Sequence, residues 1–164
     1  MSIEQLNSTL DISAGQFIDR IGVKLGLAFP AGPHLEALAK TSELSGGQEN
    51  LPIVCRPNGV SFAGPETALT KWIQAGRNSS DIAAAAQWIV ARTLGRMIER
   101  EALATGLQDV LLVGGVMSNQ FIRSYIEGFL MKRRLSLRLF FAKPEFSSDH
   151  ALGAAFFASL RHSL

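Results

Sequence analysis

The chain has 164 residues, a formal net charge of +2, 47% hydrophobic residues and 18% charged residues. This apolar content excludes intrinsic disorder, scattered Gly and Pro exclude a collagen-like chain, and the length predicts one domain over residues 1–164. Cys55 is the only cysteine, so no internal disulfide forms, and no apolar run reaches the ~20 residues of a membrane-spanning helix. We therefore expect a cytoplasmic domain without membrane contact.

The first third of the chain predicts an edge strand followed by two helices. Residues 3–10 are short and alternate in polarity, which favours an edge strand. Residues 11–13 offer N-cap oxygens to a helix whose apolar residues recur at helical spacing and which ends at Gly26. Pro33 then suits the first position of a second helix.

The middle of the chain predicts a loop and a hairpin. Residues 41–50 show no hydrophobic periodicity and are expected to form a loop. Two apolar runs at 51–55 and 60–62 flank an Asn-Gly pair, which is the strongest short-range signal of a β-hairpin. Cys55 ends the first run, and we interpret it as a small core residue rather than a reactive thiolate.

The second half of the chain predicts alternating helices and strands. A helix over 66–75 ends at a glycine, and a longer helix capped by Ser79 or Ser80 runs to Gly106. The continuous apolar run 109–113 predicts a strand that is buried on both faces. The remaining elements are predicted as a helix capped by Ser118 or Asn119, a strand at 137–142 and a helix that begins near 147–149. This alternation indicates an α/β layer architecture.

The segment LLVGGVMSN, residues 111–119, is the most informative local feature. A predicted strand leads into Gly114 and Gly115, and a predicted helix begins directly afterwards. Glycines at the end of a strand let a ligand approach the backbone, and a helix N-terminus favours an anion. The segment fits either a nucleotide site or a tight turn without a ligand, and it matches neither the GxGxxG nor the P-loop pattern.

Two carboxylates are further candidates for a site. Asp19 lies inside the first predicted helix, where it either accepts hydrogen bonds from a ribose or pairs with Arg20 or Lys24. Asp149 lies at the start of the last predicted helix as a cap, a dipole-compensating carboxylate or a metal ligand. The three histidines have no HxxxH spacing, so a self-contained metal site is not expected.

Two basic groups are candidates for phosphate contacts. Arg92, Arg96 and Arg100 recur every four residues on the long helix. The second group, near the end of the following helix and the last strand, comprises Lys132, Arg133, Arg134, Arg138 and Lys143. A charged stripe is more often a solvated helix face, and neither group indicates RNA binding by itself.

Five sequence blocks follow one another in an order that is typical of one protein family. The segment DISAGQFIDRIGVKLGLAFPAGP at 11–33 is similar to the family pattern DDAAGEAFDK followed by LLGLxYPGGP. The segment VSFAGPETA at 60–68 is similar to FSFSGLKTA. Three further segments match in the same order. DIAAA with the glutamine, at 81–87, is similar to DIAAS-Q, and LLVGGVMSNQFIR at 111–123 is similar to LxxAGGVxxNxxLR. SSDHALGAA at 147–155 is similar to CTDNxAMIA. Together they resemble the C-terminal part of the universal tRNA threonylcarbamoyltransferase family (the bacterial TsaD type), long called O-sialoglycoprotein endopeptidases or glycoproteases.

The resemblance implies an actin-like ATPase fold of the sugar-kinase and heat-shock-protein type, with a ribonuclease H-like sheet and flanking helices. Two lobes clamp a nucleotide in that fold, and this chain corresponds to most of the second, C-terminal lobe. Asp19, Gly32 and Asn119 match the family's ligand-binding aspartate, glycine and asparagine. Gly114 and Gly115 match its adenosine-contacting motif.

The implied activity is the transfer of threonylcarbamoyl from its adenylate to a tRNA adenosine. An ATP- or adenylate-type nucleotide, iron or zinc, tRNA and the family's partner proteins are therefore expected to act with the parent protein. Asp149 matches the aspartate that binds the metal, but the family's HxxxH pair and SGG phosphate loop lie in sequence that this chain does not contain. We expect this chain alone to be inactive and to bind no metal.

Departures from the family pattern leave a second function open. Pro65 and Glu66 replace a leucine and a lysine, Gln16 and Phe17 replace a glutamate and an alanine, and His150 replaces an asparagine. They indicate a divergent paralogue, and the alternative is a non-catalytic module of the same fold that serves pairing or regulation, for example as a homo-oligomer. The historical metallopeptidase label is discounted, because a zinc protease needs three ligands and a general base.

Overall fold

The computed structural model describes residues 3–43 and 48–142, and these residues contain five α-helices and four short strands. The helices are α1 (Ala14–Lys24), α2 (Gly32–Ala39), α3 (Ala63–Gln74), α4 (Ser79–Thr105) and α5 (Gln120–Lys132). The strands are β1 (Val54–Arg56), β2 (Gly59–Ser61), β3 (Asp109–Leu112) and β4 (Arg138–Phe141). Two short 3-10 helices, Gln48–Asn50 and Gly115–Ser118, precede β1 and α5. The predicted last helix, near 147–149, lies outside the described residues.

The strands form two separate pairs within the described residues. Strands β1 and β2 are antiparallel, which confirms the predicted hairpin, but Arg56 pairs with Gly59 and the two loop residues are Pro57 and Asn58. Strands β3 and β4 are parallel, with Asp109 opposite Arg138, and α5 connects them. A parallel pair joined by a helix is the unit from which α/β layers are built.

Strand β3 is not buried on both faces, so that prediction is wrong for the described residues. Leu111 is 67% exposed and its neighbour in register, Phe140, is 50% exposed. The alternate side chains Val110 and Leu112 pack against the helical core. The described helices therefore cover only one face of this strand pair, and the apolar run alone could not distinguish these two environments.

The predicted edge strand at residues 3–10 is also wrong, because its pairing is limited to one bridge between Thr9 and Val60. The Leu10 N–H donates to the Val60 carbonyl at 2.8 Å, and the Val60 N–H donates to the Ser8 carbonyl at 3.0 Å. This pairing attaches the N-terminal segment to β2 directly before α1.

Helix α1 begins as the sequence predicts, but its cap is more specific. The Ser13 hydroxyl accepts from the Gln16 N–H, and the Gln16 side chain accepts from the Ser13 N–H, which completes a capping box. Asp11 instead reaches the beginning of α3, where its carboxylate accepts from the Ser61 hydroxyl and from the Phe62 N–H at 2.9 Å. Helix α3 therefore begins at Ala63, three residues before the prediction.

Burial raises the pKa of the Asp11 carboxyl, but the hydrogen bonds from Ser61, Phe62 and Ile12 lower it, and the net pKa lies below the ordinary value of 3.8. The ionised carboxylate is the form that accepts all of these hydrogen bonds. Asp11 thus joins the beginning of α1 to the beginning of α3 as an anion.

Helix α4 is the centre of the core and packs against the other four helices. Its cap is Asn78, whose side chain accepts from the Ser80 N–H, and it ends at Gly106 in the left-handed conformation with φ of 71°. The Gly106 end confirms the prediction, whereas the cap lies one residue before Ser79. The fully buried apolar side chains of α4 include Ala83, Ala85, Ala86, Ile89, Val90 and Ala91. None of the described helices, α4 included, is long and apolar enough to cross a membrane.

Candidate nucleotide site

The junction between α1 and α2 positions Asp19 and Gly32. The Ala31 N–H donates to Asp19 Oδ1 at 2.8 Å, and Ala31 directly precedes Gly32, the first residue of α2. Gly22 lets the two helices approach, because a Cβ at this position would overlap with the Cβ of Ala31. The carboxylate of Asp19 therefore orients the beginning of α2.

Asp19 does not pair with the neighbouring cations, so that alternative from the sequence is wrong. Arg20 Nη1 lies 3.3 Å from the Glu66 carboxylate, and Lys24 Nζ lies 2.7 Å from it. Glu66 thereby connects α3 to α1, and its side chain is only 14% exposed. This departure from the family's lysine has a structural use in this chain.

Gly114 and Gly115 form the turn between β3 and α5. Gly114 has φ of 100° and ψ of 159°, a conformation that residues with a side chain rarely adopt. Within the described part of the chain, no heavy atom outside the adjacent residues lies within 4 Å of a Cβ built on either glycine. The backbone of this turn is therefore open to an approaching ligand.

Asn119 is the residue that connects the glycine turn to α5. Its Oδ1 accepts from the Ile122 N–H at 2.9 Å, which confirms Asn119 as the predicted cap of this helix. Its Nδ2 donates to Gln87 Oε1 at 3.2 Å, and both side chains are buried. Both the oxygen and the nitrogen of the Asn119 amide are therefore hydrogen-bonded inside the protein. These bonds fix the position of the turn relative to α4.

Helices α1 and α2 each contact the residues that follow the glycine turn. A Cβ on Gly15 would lie 3.7 Å from Val116 Cγ2, and the Gln120 N–H donates to Glu36 Oε1 at 2.9 Å. A cavity of about 270 Å³ lies between α2, α4 and α5, and its polar lining includes Glu36, Lys40, Gln87 and Gln120. The structure therefore gathers Asp19, Gly32, Gly114, Gly115 and Asn119 on adjacent elements.

Sequence reasoning missed Glu36 as part of this arrangement. Glu36 lies four residues after Gly32 on α2, so both share one helix face, and this spacing is a signal that could have indicated it. Gln87 belonged to a sequence block that the resemblance had identified, although its hydrogen bond to Asn119 was not anticipated.

Comparison with known proteins decides the family. The family model of the tRNA N6-adenosine threonylcarbamoyltransferase TsaD matches residues 1–156. The chain belongs to the TsaD family. The curated TsaD of Symbiobacterium thermophilum is 32% identical over 177 residues, covering 99% of this chain and 50% of the relative. That of Dichelobacter nodosus is 33% identical over 163 residues, covering 96% and 47%. The chain spans about half the length of these TsaD relatives.

Solved structures confirm the fold class. HypF of T. kodakarensis superposes with a TM-score of 0.73 at 22% identity, covering 92% of this chain and 20% of that protein. Full-length HypF in a phosphate- and nucleotide-bound form superposes with a TM-score of 0.61 at 18% identity, covering 80% and 18%. At this level of identity the likeness concerns the fold alone, and it confirms the α/β class and the actin-like fold expected of a TsaD-type chain.

The described part of the chain offers binding groups rather than a metal centre. No three His, Cys, Asp or Glu side chains among residues 3–43 and 48–142 lie close enough to hold an ion. Asp149, which the sequence resemblance suggests as a metal ligand, lies outside the described residues. What this arrangement provides is an open backbone at two glycines, carboxylates that can accept from hydroxyl groups, and a buried amide that holds the turn in place.

Proposed function

We propose that this chain is the nucleotide-binding lobe of a TsaD-type protein and holds the adenosine moiety of the threonylcarbamoyl adenylate. The observation that carries this proposal is the open backbone above Gly114 and Gly115. Helices α1 and α2, which bear Asp19 and Gly32, contact the residues that follow this turn. An aromatic base can approach a backbone that has no side chain, and a carboxylate can accept from ribose hydroxyls. Asn119 acts by keeping the turn in position.

The transfer of threonylcarbamoyl to a tRNA adenosine belongs in this proposal to the parent protein. Iron or zinc would polarise the carbonyl that is transferred, and Asp149 would be this chain's one ligand, since the matching HxxxH pair is not in this sequence. In this proposal the role of this chain is to bind and orient the nucleotide. Contacts with ATP, tRNA and partner proteins likewise belong to the parent.

Gly115→Ala tests the proposed adenosine site, because Gly115 does not have a left-handed φ and a methyl group there would fill only the open space. We expect the variant to fold normally and to weaken adenosine binding about tenfold from a Kd of about 1 mM, measured by titration calorimetry. Gly64→Ala is the matched control, since Gly64 lies on α3 with equally open space. Equal adenosine affinities of the two variants would contradict the proposal.

A non-catalytic module of the same fold is the second candidate. Two observations favour it: Asn119 is satisfied inside the protein, and Glu66 pairs with α1, so neither position requires a ligand. This role predicts no adenosine binding up to about 10 mM, tenfold above the expected Kd. It also predicts association into a homo-oligomer, or with a partner of the same fold, which analytical ultracentrifugation would detect.

A further inference from the structure

A second cavity, of about 330 Å³, lies between α4, α5 and the segment before β1. The groups that face it are Trp88, Arg92 and Arg96 on α4, Tyr125 on α5 and Glu49 on the opposite side. We propose that this cavity binds a nucleotide unit, with the phosphate at Arg92 and Arg96 and the base against Trp88. This inference does not rest on the proposed adenosine site.

Neighbouring side chains hold Arg92 in place more firmly than Arg96. Arg92 Nη1 donates to the Tyr125 hydroxyl at 3.2 Å, and its guanidinium lies 5.1 Å from the ring centre of Phe129. Arg96 follows one helical turn later on the same face and has no ion pair among the described residues. A guanidinium that is held by neighbours loses little freedom on binding, and a second one nearby can complete the contacts of a phosphate.

The third arginine of the sequence stripe, Arg100, has a structural role instead. Its guanidinium lies 2.6 Å from the Glu101 carboxylate and also donates to the Arg56 carbonyl at the hairpin. The hydrogen bonds from Arg100 and Asn7 lower the pKa of Glu101, which keeps this pair charged. The stripe therefore divides into one cation that holds the fold together and two that face the cavity.

The charge of the cavity lining favours an anion. Among the described residues that line the cavity, Arg92 and Arg96 carry positive charge and Glu49 carries negative charge, so the cations outnumber the carboxylates. Arginine recognises phosphate oxygens with its planar donor groups. A solvated stripe on a helix surface has no cavity walls around its arginines. The walls of the cavity thus distinguish this pair from an ordinary charged helix face.

Trp88 supplies the surface for a base. Its indole packs edge-to-face on Tyr125, with ring centres 6.5 Å apart, and is half-buried. Bases stack on aromatic side chains without sequence preference, and such platforms beside cationic grooves are typical of single-strand binding. Arg92 follows Trp88 by one helical turn and Arg96 follows it by two, so the aromatic surface and both cations lie on one face of α4.

Trp88 also lines the smaller cavity that contains Glu36 and Gln120. The indole therefore lies between these two cavities. A ribonucleotide strand can extend from one cavity to the other across this ring, whereas a mononucleotide needs only the arginine cavity. Both ligands present a base and a phosphate, and the experiment distinguishes a strand from a mononucleotide.

The test uses the fluorescence of Trp88. The chain has two tryptophans, and Trp72→Phe removes the other one, which lies on α3 beneath Arg77. This variant is titrated at low salt with adenosine 5′-monophosphate and with a heptaadenylate. We expect saturable quenching, with weaker binding at higher salt because phosphate contacts release counterions. A heptaadenylate that binds at least about tenfold more tightly indicates a strand, and equal affinities indicate a mononucleotide.

Charge reversal at Arg96 separates this cavity from the adenosine site, because Arg96 is neither part of the glycine turn nor a lining residue of the smaller cavity. In the Trp72→Phe background, Arg96→Glu should weaken quenching by both ligands about tenfold, the loss expected for one charged contact. Lys71→Glu on the exposed surface of α3 makes the same change in net charge and should change affinity less than about twofold. Arg96→Gln gives the same comparison if Arg96→Glu does not fold. Absent quenching, or equal losses in the Arg96 and Lys71 variants, would overturn the proposal.

Discussion

Replacing Gly22 with alanine perturbs the junction that positions Asp19 and Gly32. Gly22 is buried on α1, and a Cβ there would overlap with the Cβ of Ala31, which is fully buried. The two Cβ atoms would be 2.3 Å apart, and because carbon atoms pack best at about 3.5–4.0 Å, Ala31 would have to move by about 1.2–1.7 Å. This movement pulls the Ala31 N–H away from Asp19, with which it forms a 2.8 Å hydrogen bond.

The expected cost of Gly22→Ala is the difference between opposing effects. Overpacking a core costs about 1–3 kcal/mol, and a lost hydrogen bond to a charged group costs about 1.5–3 kcal/mol. Alanine in place of glycine returns about 1 kcal/mol in a helix interior. Since the hydrogen bond is weakened rather than removed entirely, we expect a net destabilisation of about 2 kcal/mol.

Urea unfolding followed by circular dichroism measures this change in the free energy of unfolding. Gly128→Ala on α5 is the matched control, because a Cβ there meets nothing within 4 Å. That control should stabilise the protein by about 0.5–1 kcal/mol, the usual helix preference for alanine. If Gly22→Ala is as stable as Gly128→Ala, the account of close packing at the α1–α2 junction is refuted.

Two further predictions concern caps. Asp11→Ala should cost about 1 kcal/mol at pH 7, because it removes the carboxylate at the beginning of α3. Since the pKa of Asp11 is lowered in the folded state, its negative charge stabilises the folded protein at pH values above the ordinary pKa of 3.8. The difference in the free energy of unfolding between Asp11→Ala and wild type should therefore narrow as the pH falls below 3.8. A difference that stays constant with pH in urea unfolding contradicts this. Asn119→Ala should cost about 2 kcal/mol, because it removes the cap of α5 and leaves Gln87 unpaired. Asn78→Ala removes a cap and the acceptor of the Ser80 hydroxyl, but it breaks no hydrogen bond between two helices. It should cost about 1 kcal/mol by the same measurement, so equal costs would argue against the buried pairing of Asn119 with Gln87.

Local signals in the sequence were sufficient for the helices and their ends. Ser13 with Gln16, Gly106, and Asn119 act within a few residues of their own chain position, so the pattern of residue types determines their geometry. The hairpin was predicted for the same reason, although its loop is one residue earlier than the Asn-Gly pair suggests.

Contacts between distant parts of the chain could not be predicted in this way. Asp11 is 51 residues from Phe62, and Glu36 is 84 residues from Gln120, so no local pattern connects them. The exposure of the Leu111 side chain likewise depends on which distant elements cover β3. The resemblance identified the family and five candidate residues, but the hydrogen-bonding partners of Asp19 and Asn119 required the structure.

The most direct test of the proposed nucleotide-binding role compares adenosine, AMP and ATP at the glycine turn itself. Backbone amide shifts of residues 114–119, followed by NMR during each titration, report this site separately from the arginine cavity. We expect all three ligands to bind with similar Kd values of about 1 mM, because the phosphate loop of the family is not in this chain. A micromolar Kd at these amides with a tenfold preference for ATP over adenosine would contradict it.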